Sequence, residues 1–297
     1  MKKAKIADNI EIGILGGSGI YHIDGLEEVR THSITTPFGK PSAEVVTGVL
    51  HGRKLAFLPR HGKGHTISPS EINYRANIYA FKSLGVRRII SLSACGSLQE
   101  NLRPRDMVFP DQLYDRTRGR ISTFFGNGIV GHVGFADPFC SILSDVLYNE
   151  ATQLGFRTHK GGTYVCIEGP MFSTRAESNV YRQMGFSVIG MTNLTEAKLA
   201  REAEICYAGV SLVTDYDVWK VDEEVSIEQI IGNLRANTEN VKRLLKTAVS
   251  KIPAEADCPC QHALSCAVIT SPKAINKRAY NRLKLLIGKY IRKQEKT

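Results

Sequence analysis

The chain has 297 residues, of which 42% are hydrophobic and 23% charged, and its formal net charge is +10. This composition is typical of a globular chain with enough apolar residues for a large core. No segment has the roughly 18 continuous apolar residues of a membrane-spanning helix, and the basic start lacks the hydrophobic region of a secretory signal. We therefore exclude a transmembrane protein and expect a cytoplasmic one.

Short apolar runs alternate with helical segments along the chain and end in small, hydroxylated or charged residues. This alternation predicts an α/β structure whose ligand sites lie at the carboxyl ends of internal strands. The run 10–15 ends at Gly16-Gly17-Ser18-Gly19, a turn whose backbone amides suit an anion. The run 54–58 ends at Pro59-Arg60-His61, where arginine offers a planar donor fork and histidine a further donor.

Two further strand ends carry hydroxyl groups. The run 88–92 ends at Ser93-Ala94, and the run 186–189 ends at Gly190-Met191-Thr192, before a helical segment at 197–208. Thr192 has a second interpretation as a helix cap. With Arg60 and His61, these ends predict a phosphate or sulfate site. Between them, Ser68-Pro69-Ser70-Glu71 predicts a capping box that begins a helix.

The apolar run 209–213 ends at two carboxylates, Asp215 and Asp217. If the extended conformation continues, their spacing of two places them on the same side. A solvated strand end is the alternative. Because carboxylates repel a nearby anion, the combination predicts a ligand with hydrogen-bond donors at one end and an anion at the other.

The seven cysteines are an odd number spread over a long chain, which argues against a disulfide framework. Cys258 and Cys260 form the one close pair, with His262 and Cys266 nearby. A zinc site would need a second ligand pair at the usual spacing, and none follows. We therefore favour inert thiols over a local crosslink, and a crosslink over a metal site.

Most of the positive charge lies at the C-terminal end. Residues 271–297 hold nine Lys or Arg and one acid, which gives +8 and leaves +2 for the rest. We divide the chain into a domain over 1–270 and a basic amphipathic C-terminal helix or extension over 271–297. We favour a helix packed on its own domain over one that binds RNA, a membrane or a partner. The predicted apolar stripe comprises Ile275, Ala279, Leu283, Leu286 and Tyr290.

From about residue 12 to 270 the chain resembles the methylthioadenosine phosphorylases, trimeric-type members of the purine nucleoside phosphorylase superfamily. The resemblance implies one α/β domain with a mixed twisted sheet, partly closed as a barrel and flanked by helices. The motifs that carry it are Gly16-Gly17-Ser18-Gly19, Thr36-Pro37-Phe38-Gly39-Lys40-Pro41-Ser42, Arg60-His61-Gly62, Asn73-Tyr74-Arg75-Ala76-Asn77, Ala94-Cys95-Gly96-Ser97, Glu168-Gly169-Pro170, Arg175-Ala176-Glu177 and Thr214-Asp215-Tyr216-Asp217.

The resemblance implies a pentosyltransferase of purine and methionine salvage, which splits methylthioadenosine with phosphate into adenine and 5-methylthioribose 1-phosphate. Phosphate is then a co-substrate, and no metal or organic cofactor is expected. By the same resemblance, the phosphate pocket comprises Ser18, Arg60, His61, Ser93, Ala94 and Thr192.

The resemblance also assigns the nucleoside contacts. Asp215 is the expected general acid at the five-membered-ring nitrogen of the purine, and Asp217 accepts from its amino group. Met191 contacts the ribose and Phe172 the base. His132 reaches the methylthio pocket of a neighbouring subunit, which implies a homo-oligomer, a trimer or a multiple of it. The resemblance assigns substrate specificity to Ser173, Ile227 and Ile231.

Two alternatives remain at this stage. A phosphorylase for adenosine, methylthioinosine or another purine nucleoside would use the same machinery, although an ionised Asp217 would repel the carbonyl of a 6-oxo purine. In a different class, the basic C-terminal segment would make the protein an RNA, membrane or partner binder.

Overall fold

The computed structural model describes residues 10–17, 23–220, 227–254 and 258–291. Within these ranges the chain forms six α-helices: α1 (Tyr74–Ser83), α2 (Ser141–Gln153), α3 (Arg175–Gln183), α4 (Asn193–Glu202), α5 (Ile227–Lys251) and α6 (Lys277–Ile287). The strands of the same ranges are β1 (Ile12–Gly16), β2 (Glu27–His32), β3 (Val45–Leu50), β4 (Arg53–Pro59), β5 (Arg88–Ser97), β6 (Met107–Phe109), β7 (Gln112–Arg116), β8 (Thr158–Lys160), β9 (Thr163–Ile167), β10 (Val188–Gly190) and β11 (Cys206–Asp215).

The centre of the sheet consists of parallel strands that are buried on both faces. β1 pairs in parallel with β4 on one side and with β5 on the other, and β11 pairs in parallel with β5. Continuous apolar runs fit such strands because helices cover both faces. β3, β6 and β10 each pair antiparallel with a neighbour, so the sheet is mixed.

The long strand β5 is where the sheet divides. Along one edge, β11 pairs with it from Arg88 to Gly96. Along the other edge, β1 pairs with residues 88–91, and β10 pairs with Gly96 and Ser97. No described strand bonds to residues 92–95 on that second edge, because β1 and β10 diverge there. The sheet is therefore partly curled, and a space opens beside the middle of β5.

Helices cover the sheet in two groups with separate hydrophobic cores. Apolar side chains of α1, α4 and α6 pack in one core, and those of α2 and α5 pack in another. The predicted fold class, a single α/β domain with a mixed sheet between helices, is confirmed. Within the described ranges, no helix combines the length and the apolar character needed to cross a bilayer.

The C-terminal helix α6 packs on the domain through the predicted apolar stripe. Ala279, Leu283 and Leu286 are buried in the same core as Leu15 of β1 and Ile78 of α1. Lys277 and Lys284 are exposed on the opposite face of the helix, and Lys273 is exposed just before it. The domain boundary at residue 270 stays a prediction.

The helix predicted to begin near Ser68 begins later. Ser68 and Glu71 do form the expected hydrogen bonds, with the Ser68 hydroxyl donating to the Glu71 carboxylate over 2.7 Å. The chain turns again at residues 72–73, and Asn73 is the cap, accepting from the Ala76 amide over 3.1 Å. The hydrogen bonds between Ser68 and Glu71 therefore belong to a turn, and α1 begins only after it.

Candidate active site

A cavity of about 420 Å³ lies where β1 and β10 diverge from β5. It is the meeting point of the carboxyl ends of β4, β5, β10 and β11, as expected for a ligand site in an α/β sheet. The predicted residues that line it are Arg60, His61, Ser93, Ala94, Phe172, Met191, Thr192, Asp215 and Asp217. Ser18 lies outside the described residues, and its neighbour Gly17 lines the cavity.

One end of the cavity, which we call the anion end, holds Arg60, His61, Ser93 and Thr192. The Arg60 side chain is 3% exposed, and its guanidinium is held by the core. It donates to the carbonyl of Leu92 over 2.7 Å and to that of Leu15 over 3.1 Å. The guanidinium is thus fixed before any ligand binds.

A buried carboxylate, Glu196 of α4, is the counter-ion of Arg60. Arg60 Nε donates to Glu196 Oε1 over 2.6 Å. The other oxygen accepts from the Ser91 hydroxyl over 2.7 Å and from the Tyr207 hydroxyl over 2.8 Å. Burial lowers the pKa of Arg60, but the charge of Glu196 outweighs it and raises that pKa above its ordinary value. The guanidinium therefore stays charged.

The imidazole of His61 is neutral in the folded protein. Its Nδ1 lies 2.9 Å from the Ile67 carbonyl, which can only accept, so Nδ1 carries the proton. Burial and the charge of Arg60 lower the pKa of His61 to about 4. The remaining nitrogen, Nε2, is then an acceptor and not the further donor that the sequence predicted. An acceptor matches a protonated oxygen of an anion such as hydrogen phosphate.

Two hydroxyls of the anion end are available to a ligand. Ser93 Oγ is buried, and among the described residues no group lies within hydrogen-bond distance of it. Thr192 is the N-cap of α4, but its side chain makes no capping hydrogen bond. The partial positive charge of the helix N-terminus adds to the attraction for an anion. A buried hydroxyl without a partner is costly, so a ligand that accepts from Ser93 would remove that cost.

The other end, which we call the carboxylate end, holds Asp215 and Asp217. The chain turns after β11, and Asp217 has a positive φ of 52°. Both side chains line the cavity, but a turn brings them together and not the alternation of an extended strand. The Asp217 amide donates to Asp215 Oδ1 over 2.8 Å, and the Thr214 hydroxyl donates to Oδ2 over 2.7 Å. Burial raises the pKa of both carboxyls above the ordinary value.

The glycine at position 96 makes room for this turn. A Cβ at Gly96 would lie 3.1 Å from Asp215 Oδ1, 3.2 Å from Asp217 Cβ and 3.0 Å from a methyl of Ile189. Each of these distances is shorter than an ordinary van der Waals contact. A side chain at residue 96 would therefore push the carboxylate end away from β5 by a few tenths of an ångström.

Comparison with known proteins places this geometry in a family. The model of the phosphorylase superfamily matches residues 11–250. The chain belongs to the phosphorylase superfamily. The S-methyl-5′-thioadenosine phosphorylase of Koribacter versatilis is 54% identical over 286 residues, which are 96% of this chain and 98% of that protein.

Solved structures of similar proteins agree. A methylthioadenosine phosphorylase from an antarctic soil metagenomic library superposes with a TM-score of 0.90 and 49% identity, covering 94% of this chain and 99% of the other. A mutant of the adenosine/methylthioadenosine phosphorylase of Schistosoma mansoni, in complex with methylthioadenosine, has a TM-score of 0.77 and 39% identity. The superposition covers 83% of this chain and 93% of the Schistosoma chain.

Three predicted residues of this phosphorylase-superfamily member lie outside the cavity lining, and a fourth is not described. His132 is exposed, Ser173 is buried behind the lining, and Ile231 is 44% exposed on α5. The side chain of Ile227 lies outside the described residues. The face of α5 that does line the cavity has the helical spacing of Ile230, Leu234, Thr238 and Val241. The lining thus includes Ile230 and not its predicted neighbour Ile231, and the prediction for Ile227 stays untested.

Two charged residues that support the site were missed by sequence reasoning. Glu196 had no local signal, because its partner Arg60 lies 136 residues away in the chain. Arg120 donates to the carbonyls of Met191 and Glu168 and to the Tyr74 hydroxyl, and so fixes the cavity wall. Both are buried charges that act through other residues.

Proposed function

We propose that this protein catalyses the reversible phosphorolysis of 5′-methylthioadenosine to adenine and 5-methylthioribose 1-phosphate. The observation that carries the proposal is one cavity with a fixed guanidinium at the anion end and two carboxyls of raised pKa at the carboxylate end. The names of the similar proteins, and the methylthioadenosine bound to the Schistosoma relative, support the same choice.

In the proposed reaction, phosphate binds at the anion end through Arg60 and the hydroxyls of Ser93 and Thr192, with Ser18 and the Ala94 backbone as further proposed contacts. A phosphate oxygen then forms a bond to the anomeric carbon as the bond from that carbon to the purine nitrogen breaks. The bonding electrons leave with the purine, and positive charge develops on the ribose. Preorganised donors stabilise the attacking anion without reorganisation during the reaction.

The carboxylate end would handle the leaving base. Asp215 donates its proton to the five-membered-ring nitrogen of the purine, which neutralises the developing negative charge. Its raised pKa favours the protonated form that this step needs. Asp217 accepts from the amino group of adenine, whereas the carbonyl of a 6-oxo purine would meet a second acceptor.

The remaining contacts follow the same arrangement. Met191 and Phe172 line the wall between the two ends, where ribose and base would lie. Ile230 and Leu234 give α5 an apolar face that suits a methylthio group better than a hydroxyl. We further propose a cytoplasmic salvage enzyme that needs no cofactor and forms a trimer in which His132 completes the neighbour's site.

Adenosine is a second candidate substrate, because the Schistosoma relative is named an adenosine/methylthioadenosine phosphorylase. The test measures adenine release from methylthioadenosine and adenosine, and base release from inosine and methylthioinosine, each with and without phosphate. We expect phosphate-dependent cleavage with methylthioadenosine preferred. Release without phosphate would indicate a hydrolase and contradict the proposed role of the anion end.

The proposed acid is tested by Asp215→Asn, which removes the proton and keeps the shape. We expect kcat to fall by about 10²–10⁴-fold, the usual contribution of general acid catalysis. Asp145→Asn is the matched control, because Asp145 is an exposed aspartate that pairs with Lys160. Wild-type turnover in Asp215→Asn would remove Asp215 from the mechanism.

A further inference from the structure

Four buried cysteines from distant parts of the chain meet at the start of β11, and none of them lines the cavity. The sulfurs of Cys140, Cys206, Cys258 and Cys260 all lie within 4.8 Å of one another. We call them the cysteine cluster. Cys206 begins β11 and Asp215 ends it, so about 30 Å of strand separates the cluster from the carboxylate end. The cluster therefore takes no part in the proposed reaction.

Three separate segments contribute to the cluster. Cys140 is the N-cap of α2, and Cys206 is the first residue of β11. A short 3-10 helix, Pro259–His262, follows α5; Cys258 is its N-cap, and Cys260 lies within it. Cys258 and Cys260 lie after residue 250, where the match to the family model ends. A bond between these sulfurs would thus tie the segment that leads to α6 onto the central sheet.

The spacing of the sulfurs fits tetrahedral coordination. Four thiolates at the usual zinc–sulfur distance of about 2.3 Å are about 3.8 Å apart. The Cys140 and Cys258 sulfurs are 3.5 Å apart, and all four cysteines are free thiols. A disulfide would need two of them at about 2.05 Å. The second ligand pair that the sequence lacked next to Cys258 and Cys260 is supplied by Cys140 and Cys206.

The cluster lies in an apolar part of the protein. All four cysteines belong to the hydrophobic core shared by α2 and α5, where their thiols have few polar partners. The N-terminus of α2 directly follows Cys140, so the positive end of the helix dipole lies next to the cluster. Four thiolates bound to one cation would place their negative charge at this end of the helix.

We propose that the cysteine cluster binds one Zn²⁺ through four thiolates and acts as a structural site. On binding, four sulfur–zinc bonds form and four thiol protons leave to solvent, with no change of oxidation state. Sulfur ligands in a tetrahedral arrangement favour zinc over magnesium or calcium, which prefer oxygen. The expectation of inert thiols considered only ligands that are close in sequence.

The full-length protein, purified without chelator, tests the proposal directly. We expect about one zinc per chain by elemental analysis. Replacement of zinc by Co²⁺ should give intense sulfur-to-cobalt charge-transfer bands and the visible bands of a tetrahedral site. Stripping the metal with a chelator should lower Tm by about 5 °C or more, since the site joins three segments.

Two variants separate the cluster from the other thiols. Cys260→Ser should lose the zinc and the cobalt spectrum, while Cys266→Ser, at an exposed cysteine six residues further on, should keep both. Phosphorolysis by Cys260→Ser should persist at a temperature where it is folded, given the distance from the cavity. Zinc content thus reports on the cluster independently of the proposed enzymatic activity.

Several results would overturn the proposal. An intact mass lower by the hydrogens of two disulfides, with three of the seven cysteines still reactive after denaturation, would mean that the cluster is oxidised. Protein with all thiols reduced that fails to take up added Zn²⁺ or Co²⁺ would also contradict it. Iron in place of zinc would overturn the choice of metal.

Discussion

The two ends of the cavity are built in opposite ways. At the anion end, the Arg60 guanidinium is held by two carbonyls, a hydroxyl and the Glu196 carboxylate, and its charge is fixed. At the carboxylate end, burial raises the pKa of Asp215 and of Asp217, which favours the protonated form of each carboxyl. The difference fits the proposed reaction, in which one end binds an anion and the other transfers a proton.

The largest predicted effect comes from removing the charge of Glu196, which holds the guanidinium at the anion end. Glu196→Gln leaves the buried guanidinium without its counter-ion, and we expect the free energy of unfolding to fall by about 3 kcal/mol. In the protein that folds, kcat/KM for phosphate should fall about 100-fold because Arg60 is no longer held in place. The measurements are denaturant unfolding and kinetics with phosphate as the varied substrate.

Glu196 is a positioning residue that acts through Arg60, so its replacement should change the KM values of the two substrates differently. The KM for phosphate should rise, and the KM for methylthioadenosine should stay near the wild-type value. Glu239→Gln, at an exposed glutamate paired with Lys242, is the control. Equal changes in both KM values would mean that the variant damages the whole cavity and not the anion end alone.

The pH profile should distinguish the two aspartates. If a protonated carboxyl donates to the purine, kcat/KM is constant at low pH and falls as pH rises through its pKa, about tenfold per pH unit above it. Because burial raises that pKa, the descending limb should lie at a higher pH than for an exposed aspartic acid. We expect Asp217→Asn to keep the limb at a lower overall rate. Loss of the limb in Asp217→Asn would assign the proton to Asp217.

The smallest effect is expected at the apolar wall contributed by α5. Ile230→Ala should lower kcat/KM for methylthioadenosine about tenfold and leave that for adenosine nearly unchanged, because only the methylthio group uses this contact. Ile231→Ala, one residue on and 44% exposed, is the matched control. A larger effect at Ile231 than at Ile230 would show that the helix presents a different face to the substrate.

Much of the site could be predicted because parallel strands place their carboxyl ends together. Residues at or just after strand ends, such as Arg60, Thr192 and Asp215, needed only local recognition of a strand and its end. The choice of side chain on α5 is harder, because a helix rotates by about 100° per residue and its phase is set by its packing partner. The predicted Ile231 therefore lies one residue beyond Ile230, which lines the cavity. Ile230 and Ile231 cannot be told apart without that partner.

Long-range partners account for the rest. Glu196 and Arg60 lie 136 residues apart, and Cys140 and Cys258 lie 118 apart, so no spacing rule connects either pair. The alanine-rich segment at 197–208, predicted helical throughout, ends its helix at Glu202 and enters β11 at Cys206. Pairing with β5 decides that boundary, since sheet contacts override the local helical preference of alanine.

The gap beside residues 92–95 of β5 leaves main-chain carbonyls free to hold Arg60 at the anion end. A strand that loses its neighbour leaves main-chain carbonyls without ladder partners, and these groups must find donors elsewhere. Leu15, near the end of β1, and Leu92, at the start of the gap, give their carbonyls to Arg60. The guanidinium thus donates to carbonyls that would otherwise pair with a further strand. The proposed affinity for an anion therefore depends on the order of the strands. A strand inserted beside residues 92–95 would fill the cavity and would bond to the carbonyls that now accept from Arg60.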